Sequence, residues 1–344
     1  MAYTTINKST DYFNTTLYDG NDTDNRAITG ISFAPNCVWI KDRSNSNSHY
    51  LQDTVRGATK NLKVDGNDAE ETRVSSIKSF TSDGWTMGTE AAVNANSQSF
   101  ASWSWKANGS GSANTDGDIN STVSANTTSG FSIVTYTGTG SSATVGHGLG
   151  AAPAFITVKR LDTNDSWQTY HKSLGAGKFM QLNGTDAEAT NNNRFGGTEP
   201  TTAVFSIGTD TGVNASGGTY VAYCWAEKTG YCKIGKYKSN DQDFPNSPFI
   251  YTGFKPQFIM FKNISTAANW VMTDDKRRTY NPTNKKLYPN SADAEVSDEI
   301  ANLLSNGFKL DNSTGDLNAS THEYIYVAFG QSMVASNNIP CTAW

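Results

Sequence analysis

Short apolar runs alternate with clusters of Asn, Ser, Thr and Gly along the whole chain, and the dominant period is two. In residues 256–262, Phe258, Met260 and Lys262 alternate with Ile259 and Phe261. Both faces are apolar until the closing lysine, which predicts a strand buried on both sides. Pro256 at its head is compatible with a strand, because the first position need not donate to the ladder. Residues 220–225 and 324–329 have the β-branched and aromatic content of core strands, and each is preceded by a shorter strand: 205–207 and 308–310, matched by 85–87 upstream. Turn pairs separate them, among them Asp83-Gly84, Asn183-Gly184, Gly217-Gly218 and Asn306-Gly307. One stretch has helical spacing: Ile300, Leu303 and Leu304 share a face behind Ser297, which predicts a capped helix over 298–304.

The same pattern occurs three times. Pro35, Pro153 and Pro256 each open an apolar run closed six residues later by Lys41, Lys159 and Lys262. Eight residues further stand His49, Trp167 and Trp270, and four beyond those Asp53, His171 and Asp274. An Asp-Ala-Glu tripeptide follows in each copy, as Asp68 to Glu70, Asp186 to Glu188 and Asp293 to Glu295, with four extra residues before the third assigned to the loop around Tyr280 and Pro282. Asn94, Asn214 and Asn318, each followed by Ala, then lead into the closing aromatic strand. Tyr18, Tyr136 and Tyr237 precede their prolines by 17, 17 and 19 residues. Five landmarks kept in register mark a triplication.

The sequence therefore predicts an all-β chain of three tandem, related antiparallel β-sandwich modules, jelly-roll-like and with little helix. Module 1 covers 18–107, module 2 136–229 and module 3 237–331. An N-terminal arm (1–17) and a C-terminal tail (332–344) lie outside the repeats, in positions suited to docking on a partner. Residues 108–135, rich in Gly, Ser, Asn and Thr, form a flexible linker or an arm across a neighbour. Modules 2 and 3 are joined closely and pack together.

Composition fits this picture. Of 344 residues only 17% are charged and 36% hydrophobic, with net charge -5, and the mean hydropathy of -0.52 comes from uncharged polar residues. A disordered chain of such low hydrophobicity normally carries a larger charge imbalance. The polar excess belongs to turns and exposed strand faces, and the apolar residues form three small cores. A pI near 5.4 and balanced basic runs exclude a general nucleic-acid binder. No apolar segment is long enough for a membrane span, and the start lacks an apolar core behind a basic end. Cys37, Cys224, Cys232 and Cys341 are scattered, the pattern of reduced, buried thiols.

Candidate chemistry is sparse. His49, His147, His171 and His322 accompany no nucleophile elbow, and His171 has Asp at its equivalent positions, which reads as a polar surface site. Glu70, Glu188 and Glu295 are the acids to consider for glycoside cleavage. The structural alternative is that Asp68, Asp186 and Asp293 cap turns by accepting backbone N–H groups. Trp167 and Trp270, with Tyr170 and His171, could form an aromatic platform for sugars. Asp-rich loops at 19–24, 65–68 and 162–165 offer oxygen ligands suited to calcium; no other metal and no cofactor is indicated.

Residues 2–8, 33–43, 136–140, 145–150, 213–220 and 251–254 resemble a family of repeat-containing proteins of marine bacteriophages, labelled tail-fibre or virion structural proteins with a domain of unknown function. The resemblance implies a non-enzymatic component of a tailed-phage virion. The expected role is a tail-fibre or adhesin-type protein assembled in the host cytoplasm, bound to other tail or capsid proteins and contacting a host surface glycan. The alternatives are a capsid decoration or knob protein and a polysaccharide depolymerase. By analogy with virion fibres and decorations, a homotrimer is expected.

Overall fold

The computed structural model describes residues 3–334. Strands make up 44% and helix 5%, in several antiparallel sheets, so the all-β sandwich architecture is correct. Each module has an inner sheet built on the proline-led strand. In module 1 the order is Phe13–Asp19, Ser99–Trp105, Cys37–Asp42, Tyr50–Asp53, Gly57–Lys63, Glu71–Thr72. Module 2 repeats it with Phe131–Thr137, Thr219–Trp225, Phe155–Arg160, Gln168–His171, Lys178–Gln181 and Ala189–Thr190. Module 3 keeps the first four, Cys232–Lys238, Glu323–Gln331, Lys255–Asn263 and Trp270–Asp274. A smaller outer sheet covers each inner sheet. It centres on Gly84–Met87 in module 1, on Val204–Ile207 in module 2 and on Gly307–Leu310 in module 3.

The alternation in residues 256–262 has the consequence its two apolar faces require. Ile259 and Phe261 pack with Phe308 and Leu310 in module 3's own core. Phe258 and Met260 point the other way, into a core shared by all three modules. Three-residue rows run across the central strands: Phe13, Trp105 and Cys37; Phe131, Trp225 and Phe155; Cys232, Phe329 and Phe258. All nine side chains lie in the shared core. The ring of Trp105 is 6.0 Å from both Trp225 and Phe329, so the closing strands of all three modules meet. The three small cores expected from composition exist, but the largest is this fourth one between them.

Within each module the repeated tyrosine and asparagine form one clamp. Tyr18, Tyr136 and Tyr237 stack on Phe100, Tyr220 and Tyr324 at 5.1–5.2 Å. Their hydroxyls donate to the carbonyls of Val93, Val213 and Leu317. The next residues, Asn94, Asn214 and Asn318, are buried and accept the backbone N–H of Asn21, Thr139 and Asn240. Each asparagine amide also donates to loop carbonyls, so it ties the end of the opening strand to the start of the closing one.

Four expectations are corrected. The opening strands begin at Phe13, Phe131 and Cys232, so boundaries at 18, 136 and 237 cut through them. Residues 108–135 are no loose linker, because Ser112–Asn114 and Ser121–Asn126 extend the inner sheet of module 2 beyond Phe131–Thr137. The predicted helix at 298–304 is a strand, Val296–Leu304, paired with Gly307–Leu310 through the Ser305-Asn306 turn. Its apolar spacing satisfied either period, and hairpin pairing decided. The N-terminal arm packs on its own chain. Tyr3 Oη donates to Gly253 O, Ser9 contacts Gln331 and Gln257, and Ile6 enters the shared core. The tail beyond Val334 and Cys341 lie outside the described residues.

Because Trp103, Trp105, Tyr223 and Trp225 are buried only when the three modules are together, the modules must melt as one unit. Scanning calorimetry of the full chain is expected to show a single heat-capacity transition rather than three.

Candidate functional site

The chemistry-bearing residues of the repeat gather at the three joints, which run cyclically from module 1 to 2, 2 to 3 and 3 to 1. At each joint the lysine that closes the proline-led strand is fully buried. Lys159 Nζ donates to Arg160 O and Asp165 O in its own module and to Asn67 O of module 1, at 3.1, 2.7 and 3.1 Å. Lys41 does the same with Asp42 O, Asn45 O and, across the joint, Ala292 O of module 3. Lys262 bonds Ala268 O and, across the joint, Thr185 O. Three donors on a tetrahedral ammonium suit three converging carbonyls. Burial pushes all three lysines down from 10.5 to about 8, opposed in part by carboxylates nearby.

The acceptors Asn67, Thr185 and Ala292 immediately precede the Asp-Ala-Glu tripeptides, and this explains the motif. Its glutamate N–H groups cross the same joints, from Glu70 to Leu161 O, Glu188 to Ile264 O and Glu295 to Arg43 O. Asp293, Asp68 and Asp186 act from the neighbouring module to favour the charged forms of Lys41, Lys159 and Lys262 respectively. None of the three aspartates accepts a backbone N–H, so their assignment as turn caps is corrected; that task falls one turn earlier. Asp65, Asn183 and Asn290 accept the N–H of His49, Trp167 and Trp270.

The glutamates are spread over three joints and paired with cations. Glu70 meets Arg56 at 3.0 Å, and Glu188 meets Lys178. Glu295 receives both forks of Arg43 at 2.8 Å and Arg277 at 3.1 Å. Burial alone would raise the Glu295 carboxyl, yet the two guanidinium groups hold it below the usual range. The structure does not bring two of these acids to one cleft.

Trp167 and Trp270 are joint residues too. Their indole N–H groups donate across the joints to Lys63 O and Gln181 O, both at 2.9 Å, and both rings are buried, as are Tyr170 and His171. A sugar platform at these four residues is overturned by their burial. In module 1 the equivalent His49 accepts from Trp39 Nε1 at 2.8 Å, and burial drives its basicity well below that of a free imidazole.

The varying Asp/His position is likewise fully buried at all three copies, which corrects its reading as a surface site. Asp53 Oδ2 accepts from Arg56 Nε and from the Tyr223 hydroxyl of module 2, both at 2.6 Å. Asp274 Oδ2 accepts from Arg277 Nε at 2.6 Å and Trp103 Nε1 of module 1 at 3.2 Å. At the remaining joint the residue equivalent to Tyr223 and Trp103 is Val327, which has no proton to give, and the residue equivalent to the arginines is Leu174. A carboxylate there would be buried with backbone N–H groups but neither the guanidinium nor the facing side-chain donor that its equivalents have. His171 is neutral, pushed down to about 4 by burial. It accepts Ser173 N–H at Nδ1 and donates from Nε2 to Tyr326 O.

Among the described residues no three His, Cys, Asp or Glu side chains gather as a metal group. The Asp-rich loops are engaged by protein donors instead: Asp24 by Lys78, Asp65 by His49 N–H, and Asp162 by Arg160 and Thr219 N–H. His147 accepts Leu149 N–H and meets Thr201 O, and Cys37, Cys224 and Cys232 are free and buried. On the axis between the modules lies an apolar cavity of about 30 Å³, lined by Trp39, Trp105, Trp225, Phe258 and Phe329 among others. It has room for about one water, but a dry state is expected because the walls are apolar. Among the grooves that open to solvent are two on module 2. One of about 430 Å³ runs over Thr122, Thr135, Thr137, Thr219 and Leu161. The other, about 290 Å³, lies between Glu199, Lys172 and Glu227.

Replacing Lys159 with Met leaves buried carbonyls without a donor and is expected to cost about 3 kcal/mol in chemical denaturation. Between about pH 8 and 10.5 the unfolded chain binds more protons at such a lysine than the folded one, so its contribution to stability rises with pH over that window. Side-chain NMR should show three lysines titrating near pH 8, and two in Lys159→Met. His171→Asp, which places a carboxylate opposite Val327, is expected to cost about 3–5 kcal/mol at neutral pH, read from the denaturation midpoint.

No curated protein and no solved structure matches the chain. A family model described as a domain of unknown function (DUF7483) matches residues 8–332, which takes in all three modules and most of their connections in one span. The unit the family describes is thus the closed ring rather than the single sandwich, and the chain belongs to this DUF7483 family.

Proposed function

We propose that the protein is a non-enzymatic structural component of a tailed bacteriophage virion, a tail-fibre or adhesin-type protein that attaches to the particle and contacts the host surface. The observation that carries this reading is the use made of the repeated polar residues. Lysines, acids, tryptophans and the histidine that in another protein would meet a substrate are enclosed in joints, where they hold modules together. What the ring offers to solvent is broad, weakly charged and rich in hydroxyl and amide groups. The threonine-lined groove over Thr122, Thr135, Thr137 and Thr219 is the surface best suited to hydrogen-bonding a host glycan. The sequence resemblance to marine-phage virion proteins supplies the setting. A homotrimer is not needed to obtain three-fold geometry, since one chain carries three modules around a common core.

A capsid decoration or knob protein is the second reading. It is favoured by the closed ring of sandwiches, which has no shaft-forming segment among the described residues. A depolymerase is disfavoured by the pairing of Glu70, Glu188 and Glu295 with Arg and Lys at separate joints. Immunogold labelling of intact particles tests the proposal. Label on the tail is expected, label on the head transfers the protein to the decoration class, and particles without label contradict a virion role.

A further inference from the structure

The outer sheet of module 3 ends in an edge strand, Phe249–Tyr251, that its counterparts in the other modules do not leave open. Its partner is Gly307–Leu310, with Ile250 opposite Phe308. In module 2 the equivalent strand is Ala143–Gly146, with Val145 opposite Phe205. That edge is covered by the chain between modules 1 and 2. Ile119 bridges to Val145, Ile119 N–H donates to Thr144 O, and Ser121 Oγ donates to Gly146 O. In module 1 the equivalent, Arg26–Ile28, carries Arg26 and is flanked by the Asp24–Lys78 ion pair, the charged kind of edge that discourages pairing. Among the described residues module 3 has neither device along Phe249–Tyr251; Tyr3 reaches Gly253 O just past its end. Only six residues separate Trp225 from Cys232, so no hairpin is available to lie over the edge.

The exposed side chains at this edge are large and apolar. Phe249 is 47% and Tyr251 59% exposed on one face, while Ile250 between them is buried in the module core. Phe244, 52% exposed, continues the patch through Lys309, whose Nζ lies 5.7 Å from its ring. The backbone is also open. Leu310 N–H donates to Pro248 O, and Thr252 N–H donates to Asn306 O. By the alternation of an antiparallel ladder, Pro248, Ile250 and Thr252 face the sheet, and the N–H and C=O of Phe249 and Tyr251 face outward.

We propose that this edge pairs with the same edge of a second copy of the chain, antiparallel and centred on Ile250. The sequence Phe-Ile-Tyr is self-complementary in that register. Each Phe249 stands opposite a Tyr251 of the other copy. Both residues have outward backbone groups, so each pair exchanges two hydrogen bonds, four in all. Both aromatic pairs fall on the same exposed face, where cross-strand aromatic contacts stabilise sheets. A two-fold axis through the Ile250 pair satisfies an isologous contact with no residual unpaired strand. The outcome is two rings joined by one continuous outer sheet of module 3.

Sedimentation of the full-length protein tests this. The contact is small, so association is expected in the range of about 1 to 100 µM, with the mass moving from 37.1 kDa toward twice that value. Phe249→Lys with Tyr251→Lys, both on an exposed face, should weaken association at least tenfold while leaving the far-ultraviolet circular dichroism unchanged. Val74→Lys, at a 65% exposed site on module 1, adds charge elsewhere and should leave it as in the parent. A single 37.1 kDa species at every concentration overturns the proposal. Association that survives the double substitution overturns it as well.

Discussion

A sheet that is apolar on both faces must be covered on both faces, and the rest of this structure follows from that constraint. In each module the outer sheet covers one side of the inner sheet. The other side, with Trp103 and Trp105 or Tyr223 and Trp225, would face water in an isolated module. Fully burying one such side chain is worth about 1.5–3 kcal/mol, and the shared core holds more than thirty buried residues. Two modules would leave a wedge open. Three close the ring.

Closing a ring of polar-edged sandwiches brings backbone carbonyls and charged side chains into the joints, where water cannot satisfy them. The buried lysine answers this at every joint, each time with one bond across it to the residue before Asp-Ala-Glu. The Asp-x-x-Arg pair answers it only at two, because it relies on a donor from the facing closing strand: Tyr223 for Asp53 and Trp103 for Asp274. Where the facing residue is Val327, both members of the pair change together, to His171 and Leu174. The repeats have therefore diverged jointly, each position adjusted to the neighbour it meets rather than to its equivalents.

Much of the fold was legible in the sequence because the period-two runs and the five landmarks are local signals. The proline-led strand, the closing strand and the short strand before it all stand where the pattern puts them. What the pattern could not carry was the partner. A buried Trp167 and an exposed Trp167 have the same sequence, and the difference lies in Lys63 O, more than a hundred residues away. Asp-Ala-Glu looked like a turn because its side chains are polar, while the contacts common to all three joints include backbone groups that carry no sequence signal. Residues 108–135 looked loose because Ser and Thr strands without large apolar side chains resemble linker, and only pairing with Phe131–Thr137 orders them. A signal for the joints was present: three lysines ending apolar runs at one offset are improbable as solvated tips, and repetition within a strand buried on both sides pointed to enclosed charge.

The contact of the N-terminal segment with module 3 has a consequence for how the protein is made. Thr4, Ile6 and Ser9 leave the ribosome well ahead of module 3, yet Ser9 meets Gln257 and Gln331. Domains generally fold as they emerge, N-terminal first. Here the first module can complete its own sandwich early, but the aromatic face it presents to the axis stays wet until residue 331 has been synthesised. Until then the nascent chain carries an exposed aromatic surface and a segment before module 1 whose partners have not yet been made. Vectorial synthesis thus makes the growing chain a candidate for chaperone protection through an axial face that the finished ring encloses.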